Sequence, residues 1–274
     1  MSSALQVAAI QLTSGAEVAA NLATAGRLLK RAAAEGAAVA VLPENFSVMA
    51  RRDADRRALA ERDGSGPVQD FLANTAATLG LWIVGGTVPL SNGTGERVSP
   101  ACLVYDADGR RVARYDKIHL FDVDLPDRAE SYRESAHFAP GSQPVVLDTP
   151  VGRLGLSVCY DVRFPELYRR MAAEGAEWFS VPSAFTVPTG GAHWETLLRA
   201  RAIENMCYVV ASAQWGEHPS GRSTYGHSLI VDYWGQVRAM QAEGEGVVIT
   251  SIDRAAQAEA RRKFPALQHR VLAS

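Results

Sequence analysis

Short apolar runs alternate with amphipathic segments at the start of the chain. Residues 5–10 form a run rich in branched side chains, which is typical of a buried strand. From 16 to 35 the apolar residues recur at three- and four-residue steps and Gly36 follows, which predicts an amphipathic helix that ends at this glycine. Residues 37–42 are again apolar and stop at Pro43. Strand, helix and strand in this order predict a βαβ unit with a parallel sheet.

The same alternation continues along the rest of the chain. It predicts further helices at 68–79, 165–175, 191–205 and from about 253 onward. It predicts further strands at 81–88, 101–105, 111–115, 145–147, 154–158, 178–181, 208–213, 228–232 and 246–252. Residues 91–95 and 106–109 have the composition of turns, whereas the charged, aperiodic stretch 121–144 indicates a long loop over a cleft. Because no linker or repeat interrupts this pattern, we expect residues 1–274 to form one α/β domain.

The amino-acid composition limits the classes of protein to which the chain can belong. Of the 274 residues 47% are hydrophobic and 21% charged, and the formal net charge of -2 gives no electrostatic reason to bind nucleic acid. The start at Met1 lacks a basic segment followed by an apolar run, and no stretch approaches 18 apolar residues, so we expect a cytoplasmic protein without a membrane segment. The three cysteines form no CxxC pair and the six histidines show no metal-ligand spacing, so we expect no disulfide framework, no metal and no cofactor.

Three predicted strand ends carry residues that could be reactive, because functional groups collect at strand ends in open α/β sheets. Glu44 follows the apolar run that ends at Pro43, and Lys117 follows the strand at 111–115. Cys159 lies where a strand turns toward a helix at Pro165, so nearby helix amides could favour its thiolate. Each also has a purely structural interpretation: a surface carboxylate, a lysine on a sheet edge and a buried inert thiol.

Taken together, these motifs closely resemble the nitrilase superfamily of carbon–nitrogen hydrolases. The similarity extends in the family's order over nearly the whole chain, through segments 43–45, 116–119, 159–167, 192–194, 199–205 and 225–228. Within the superfamily the chain is most similar to the Nit branch, and segments 183–186, 189–195 and 221–228 resemble the group that hydrolyses deaminated glutathione. One departure is visible, since Asp232-Tyr-Trp-Gly235 stands where the family usually has Asp-Pro-Trp-Gly.

The resemblance implies a four-layer αββα sandwich and a cysteine-dependent mechanism. Glu44 would take the proton of Cys159, and the thiolate would attack an amide carbon to give a thioester that water then hydrolyses. Lys117 and the backbone amide of Tyr160 would stabilise the oxyanion. Glu134 occupies the position of a second glutamate that helps to place substrate and lysine. No catalytic histidine, metal or cofactor is required by this scheme.

The resemblance also suggests a substrate and its binding residues. Deaminated glutathione would give 2-oxoglutarate and cysteinylglycine, and its carboxylates call for cationic partners. Arg163 is the first candidate, whereas Arg199 and Arg201 are better explained by pairing with nearby glutamates; the further candidate contacts are Phe185, Thr186 and His193. Alternatives are an omega-amidase acting on 2-oxoglutaramate, another aliphatic amidase or carbamoyl hydrolase, and an inactive binding protein on the same fold. A homodimer or larger even assembly is also implied.

Overall fold

A computed structural model describes residues 5–52, 55–91, 93, 97–125 and 130–272. Strands and helices are numbered along the chain. The first sheet has the spatial order β18 (Gly246–Ile252), β1 (Leu5–Gln11), β2 (Ala37–Val41), β4 (Trp82–Val84), β6 (Val98–Tyr105), β5 (Val88–Ser91) and β3 (Glu61–Arg62), with β7 (Arg111–Asp116) also paired to β6. Strands β1, β2 and β4 are parallel to one another, as the βαβ prediction requires, whereas β18 runs antiparallel to β1.

The second sheet has the order β10 (Val146–Thr149), β11 (Gly152–Leu156), β12 (Trp178–Ser183), β13 (Tyr208–Ala213), β16 (Ser228–Val231) and β17 (Val237–Gln241). Its central strands β11, β12 and β13 are parallel, in a register that sets Trp178 beside Tyr208. Two short antiparallel pairs lie outside both sheets, β8 (Asp122–Leu125) with β9 (Glu130–Arg133) and β14 (Trp215–Glu217) with β15 (Ser223–Tyr225).

The helices lie outside the two sheets, which pack face to face. Alternation along β1 shows the layering: Val7 and Ala9 belong to the core shared with the second sheet, whereas Ala8 and Ile10 belong to the core beneath the helices. Helices α1 (Val18–Ala34) and α3 (Pro67–Leu79) cover the first sheet, and α4 (Pro165–Ala173) and α5 (Val187–Asn205) cover the second; the remaining helices are α2 (Asp55–Ala58) and α6 (Arg254–Lys263). The expected four-layer αββα sandwich is therefore confirmed.

Among the predicted elements whose bounds differ from the structure, two differences have a clear physical cause. The strand expected at 81–88 is broken after Val84, because Gly86 has a φ of 53° and passes so close to Pro43 that a Cβ would lie 2.1 Å from the Pro43 carbonyl oxygen. Helix α5 begins at Val187 and not at 191, since Pro188 in its first turn favours an earlier start than the two glycines suggested.

The stretch 121–144 contains more regular structure than the predicted loop. Strands β8 and β9 pair there, and a 3-10 helix over Glu134–Ala136 follows. Residues 126–129, and all of the predicted turn at 91–95 except Ser91 and Gly93, lie outside the described residues. No helix in the described ranges is both long and apolar enough to cross a membrane.

Candidate active site

One pocket collects the ends of strands from both sheets. Glu44 follows β2 and Lys117 follows β7 of the first sheet, whereas Cys159 follows β11 and Ala184 follows β12 of the second. The empty space among its lining side chains is about 560 Å³, which includes open solvent at the mouth. Its wall is made largely of aromatic and polar side chains; among the lining residues are Asn45, Phe121, Tyr132, Arg133, Glu134, Phe138, Tyr160, Phe185, Thr186, Thr189 and Arg222.

Cys159 lies at a sharp turn between a strand and a helix. Its φ of 48° is in the left-handed region, which is uncommon for a residue with a side chain and costs about 1–3 kcal/mol. The residue opens a 3-10 helix over Cys159–Arg163, and its side chain faces the pocket with only 7% of the residue exposed. Ala184, at the end of the neighbouring strand, lines the pocket beside it, and its backbone N–H lowers the pKa of the thiol. The thiol is thus held at a fixed point of the pocket.

Lys117 joins two carboxylates at the base of the pocket. Its Nζ lies 2.8 Å from Glu44 Oε1, and 2.9 and 2.8 Å from Glu134 Oε1 and Oε2. Only 1% of the lysine side chain is exposed, so these ion pairs are removed from water. Glu134 Oε2 also accepts the backbone N–H of Phe121 at 2.6 Å, which fixes this carboxylate behind the lysine. The charges that the sequence could only suggest are therefore in direct contact.

The pKa values of these groups are shifted in opposite directions. Burial alone would raise the pKa of Glu44, but the charge of Lys117 and hydrogen bonds from Lys117 and Cys159 outweigh it and hold the pKa below its ordinary value. Burial and the charge of Glu44 raise the pKa of the Cys159 thiol, more than Lys117 and the Ala184 N–H lower it. Burial would lower the pKa of Lys117, but Glu134 and Glu44 raise it above its ordinary value. The resting site thus holds a thiol, a carboxylate and an ammonium.

A fully buried aspartate ties the cysteine turn to the lysine strand. Asp161 Oδ2 accepts the Tyr115 hydroxyl at 2.7 Å and the Val158 N–H at 2.8 Å. Its Oδ1 accepts the His119 N–H at 3.0 Å and lies 2.7 Å from His119 Nδ1. Tyr115 and His119 flank Lys117 at two residues on either side, and Val158 precedes Cys159. The carboxylate therefore fixes the lysine and the thiol relative to each other.

We expect Asp161→Asn to lower both stability and turnover. An amide has one accepting oxygen, so one pair of donors would face an NH2 group, at a cost of about 2–4 kcal/mol in the free energy of unfolding. The kcat of the folded protein should fall because the side chain at 161 no longer fixes the Cys159 thiol relative to Lys117. Urea denaturation together with kcat of the folded fraction tests this, with Asp148→Asn on an 88%-exposed side chain as the control. Equal stability of the two variants would contradict it.

The other candidate residues fall into two groups. Phe185, Thr186 and Tyr160 line the pocket. Arg163 and His193 are not among the described residues that line it: their side chains lie 3.3 Å apart, and the Arg163 guanidinium packs 5.3 Å from the centre of the Phe185 ring, on the side of α4 and α5.

The two arginines of α5 have structural partners, in agreement with the sequence interpretation. Arg199 donates to the Gly235 carbonyl at 2.9 Å and lies 3.4 Å from Glu195. Arg201 is buried, donates to the Val162 carbonyl at 2.8 Å and pairs with Glu204. In the described part of the chain, no group of three histidine, cysteine or carboxylate side chains is arranged to hold a metal ion.

Ala184, Asp161 and Arg222 are among the residues of the site that were not singled out from the sequence. Ala184 and Asp161 lie inside motif segments, but their roles depend on contacts with other strands that sequence spacing does not reveal. Arg222 lies in the 221–228 segment, which was noted only for its family resemblance. A basic residue within a polar turn gives no signal of its own that it lines a pocket.

The fold is an αββα sandwich, and its pocket holds a thiol, a lysine and two carboxylates in one cluster. This combination is typical of hydrolases that act on carbon–nitrogen bonds. Comparison with known proteins supports the same class. Residues 6–262 match the model of the carbon-nitrogen hydrolase family, so the chain belongs to this family and the resemblance to the nitrilase superfamily is confirmed. It is an enzyme that hydrolyses carbon–nitrogen bonds other than peptide bonds.

The sequence relatives indicate the branch of the superfamily to which this chain is most similar. The deaminated glutathione amidase of Yersinia enterocolitica is 42% identical over 96% of this chain and 92% of its own length. The human deaminated glutathione amidase is 40% identical over 96% of this chain and 81% of its own. The crystal structure of the C. elegans NitFhit protein superposes with a TM-score of 0.90 at 37% identity, covering 99% of this chain and 66% of that longer one.

Proposed function

We propose that this enzyme is an amidase that hydrolyses deaminated glutathione to 2-oxoglutarate and cysteinylglycine. The observation that carries the proposal is the buried contact of Lys117 with Glu44 and Glu134, in the same pocket as a thiol held on a left-handed turn. The names of the relatives at 40–42% identity, which cover nearly the whole chain, support the choice of substrate.

Acylation would begin with Cys159 and Glu44. Because the thiol is protonated at rest and the carboxylate is ionised, proton transfer to Glu44 accompanies attack of the sulfur on the amide carbon. The C–S bond forms as the carbonyl π pair moves to oxygen, and the Lys117 ammonium and the Tyr160 N–H stabilise that oxyanion. A donor in this role contributes about 3–4 kcal/mol to lowering the barrier. Glu44 then protonates the nitrogen, the C–N bond breaks and the amine leaves.

Deacylation would reverse these roles with water as the nucleophile. Glu44 takes a proton from water while the oxygen attacks the thioester carbon, and the oxyanion occupies the same position. Collapse of this intermediate breaks the C–S bond, the sulfur recovers its proton from Glu44, and the acid leaves. Glu134 has no share in these proton transfers; it keeps Lys117 in place through its two short contacts.

The substrate is tested by comparing deaminated glutathione with 2-oxoglutaramate as substrates of the purified enzyme. We expect kcat/KM to be higher for deaminated glutathione by about tenfold or more, since its cysteinylglycine half adds binding contacts that the free amide lacks. Release of 2-oxoglutarate from both, and of cysteinylglycine from the first, is measured by chromatography. A clear preference for 2-oxoglutaramate would identify an omega-amidase, and failure to hydrolyse any short amide would contradict the proposed function altogether.

A further inference from the structure

A third cation, besides Lys117 and Arg133, reaches the pocket from outside the two large sheets. Arg222 directly precedes β15, in the turn of the β14–β15 pair, and lines the same pocket as Cys159. Its guanidinium carbon lies 5.2 Å from the centre of the Tyr132 ring, within the range of a cation–π contact, and it donates one hydrogen bond to the carbonyl of Ala184. Ala184 lines this pocket together with Cys159. The guanidinium is thus anchored beside the nucleophile.

Among the described residues, the Ala184 carbonyl is the one hydrogen-bond acceptor of the Arg222 guanidinium. The other two cations of the pocket have carboxylate partners: Lys117 contacts two glutamates, and Arg133 binds Asp124 at 2.8 and 2.9 Å. Within the described ranges no carboxylate lies at ion-pair distance from Arg222, and its buried Nε has no hydrogen-bond acceptor. The guanidinium charge therefore has no counter-ion among the described residues, and a carboxylate of a ligand in the pocket would supply one.

The turn that carries Arg222 is fixed by buried contacts. The two ring nitrogens of His218 lie 2.9 Å from the Ser14 carbonyl oxygen and 2.7 Å from the Thr224 hydroxyl, and the ring is 3% exposed. The His218 N–H donates to the Arg222 carbonyl at 2.9 Å, and Thr224 pairs with Thr186 across the pocket wall. Arg222 is therefore held on a rigid support, which lowers the entropy lost when it binds a ligand.

We propose that Arg222 recognises a carboxylate of the substrate, and this inference rests on the proposed amidase function. An arginine fork can donate two parallel N–H bonds to a carboxylate, and the Tyr132 ring and the Ala184 carbonyl hold this fork in place. Deaminated glutathione carries two carboxylates that could fill this role. One is on the 2-oxo acid end of the acyl half, and the other is on the glycine end of the departing half. Both present the same chemistry to the guanidinium.

The test compares Arg222→Gln with the wild-type enzyme on four amides. These are 2-oxoglutaramate, with a carboxylate on the acyl half only; N-pentanoyl-cysteinylglycine, with one on the departing half only; deaminated glutathione, with both; and uncharged pentanamide. We expect kcat/KM to fall by about 10- to 100-fold for amides that carry the recognised carboxylate and to change little for pentanamide. Loss on 2-oxoglutaramate assigns the acyl half, and loss on the pentanoyl dipeptide assigns the departing half.

Two further variants sharpen the result. Arg110→Gln makes the same substitution on a 77%-exposed side chain in the β6–β7 turn and serves as the control. Arg163→Gln tests the other arginine near the nucleophile. The proposal is overturned if Arg222→Gln slows all four amides equally, if it slows none, or if Arg163→Gln alone removes the preference for charged amides.

A binding measurement separates this inference from the proposed function. Calorimetry with the Cys159→Ala protein measures the affinity for 2-oxoglutarate and for cysteinylglycine, and is repeated after Arg222→Gln is added. We expect at least a tenfold weaker Kd for the product that carries the recognised carboxylate, and unchanged affinities would refute the role of Arg222. An enzyme that hydrolyses none of the amides but binds such a product through Arg222 would refute the function and retain the inference.

Discussion

Cys159→Ala is expected to lower kcat on amide substrates by about 10⁴-fold or more while the protein stays folded. Without the sulfur no thioester can form, and the remaining carboxylates and lysine have no nucleophile to assist. The methyl group fits the space of the thiol, so the far-ultraviolet circular dichroism should not change. Amine release measures the first expectation, and mass spectrometry of the quenched wild-type enzyme measures the acyl adduct that the variant must lack.

The chain supplies a matched control for this experiment. Cys102 and Cys207 are fully buried thiols, and burial raises the pKa of each to about 12. Cys102→Ala, in the core between the sheets, should cost some stability and leave kcat unchanged. If Cys159→Ala kept full turnover, or if Cys102→Ala abolished it in a folded protein, Cys159 would not be the nucleophile.

Lys117→Met is expected to reduce both activity and stability. It leaves the buried Glu44 and the partly buried Glu134 without their shared cation, which should lower the free energy of unfolding by about 3–5 kcal/mol. It also removes one stabiliser of the oxyanion, so kcat should fall by about 10²- to 10³-fold. Chemical denaturation and steady-state rates measure the two effects, and Lys30→Met on the exposed face of α1 is the control.

The same variant changes the pH dependence in a defined direction. Lys117 opposes the effect of burial and keeps the pKa of Glu44 below its ordinary value. Without this cation the pKa of Glu44 must rise, and since Glu44 acts only when ionised, the acidic limb of the kcat/KM profile should move to higher pH. If the acidic limb of the kcat/KM profile stayed at the same pH, Glu44 would not be the base or Lys117 would not set the pKa of Glu44.

The sequence allowed most of the fold to be predicted because hydrophobic periodicity reports burial. The helices α1, α3 and α4 and the central strands follow that pattern closely. The β14–β15 pair was missed, since Trp215–Glu217 and Ser223–Tyr225 have no apolar run and are set by contacts with distant segments such as Thr186. Four-layer packing came from the family resemblance, because periodicity does not determine which two sheet faces meet.

The candidate site could be predicted only in part. The positions of Glu44, Lys117 and Cys159 after predicted strands made them candidates, but each also had a structural interpretation, and their shared role followed from the family resemblance. Asp161 contacts Tyr115 from 46 residues away, and Arg222 contacts the Ala184 carbonyl from 38 residues away. Such contacts depend on how the sheets and the β14–β15 pair are docked, which local sequence does not encode.

Because one sheet supplies Glu44 and Lys117 and the other supplies Cys159 and Ala184, the chemical centre exists only while the two sheets are docked. A partly folded chain that kept its helices and strands, but in which the sheets had separated, would have all the residues and no active site. Turnover is therefore a reporter of tertiary assembly in this enzyme, and its loss during unfolding marks the separation of the two halves of the sandwich.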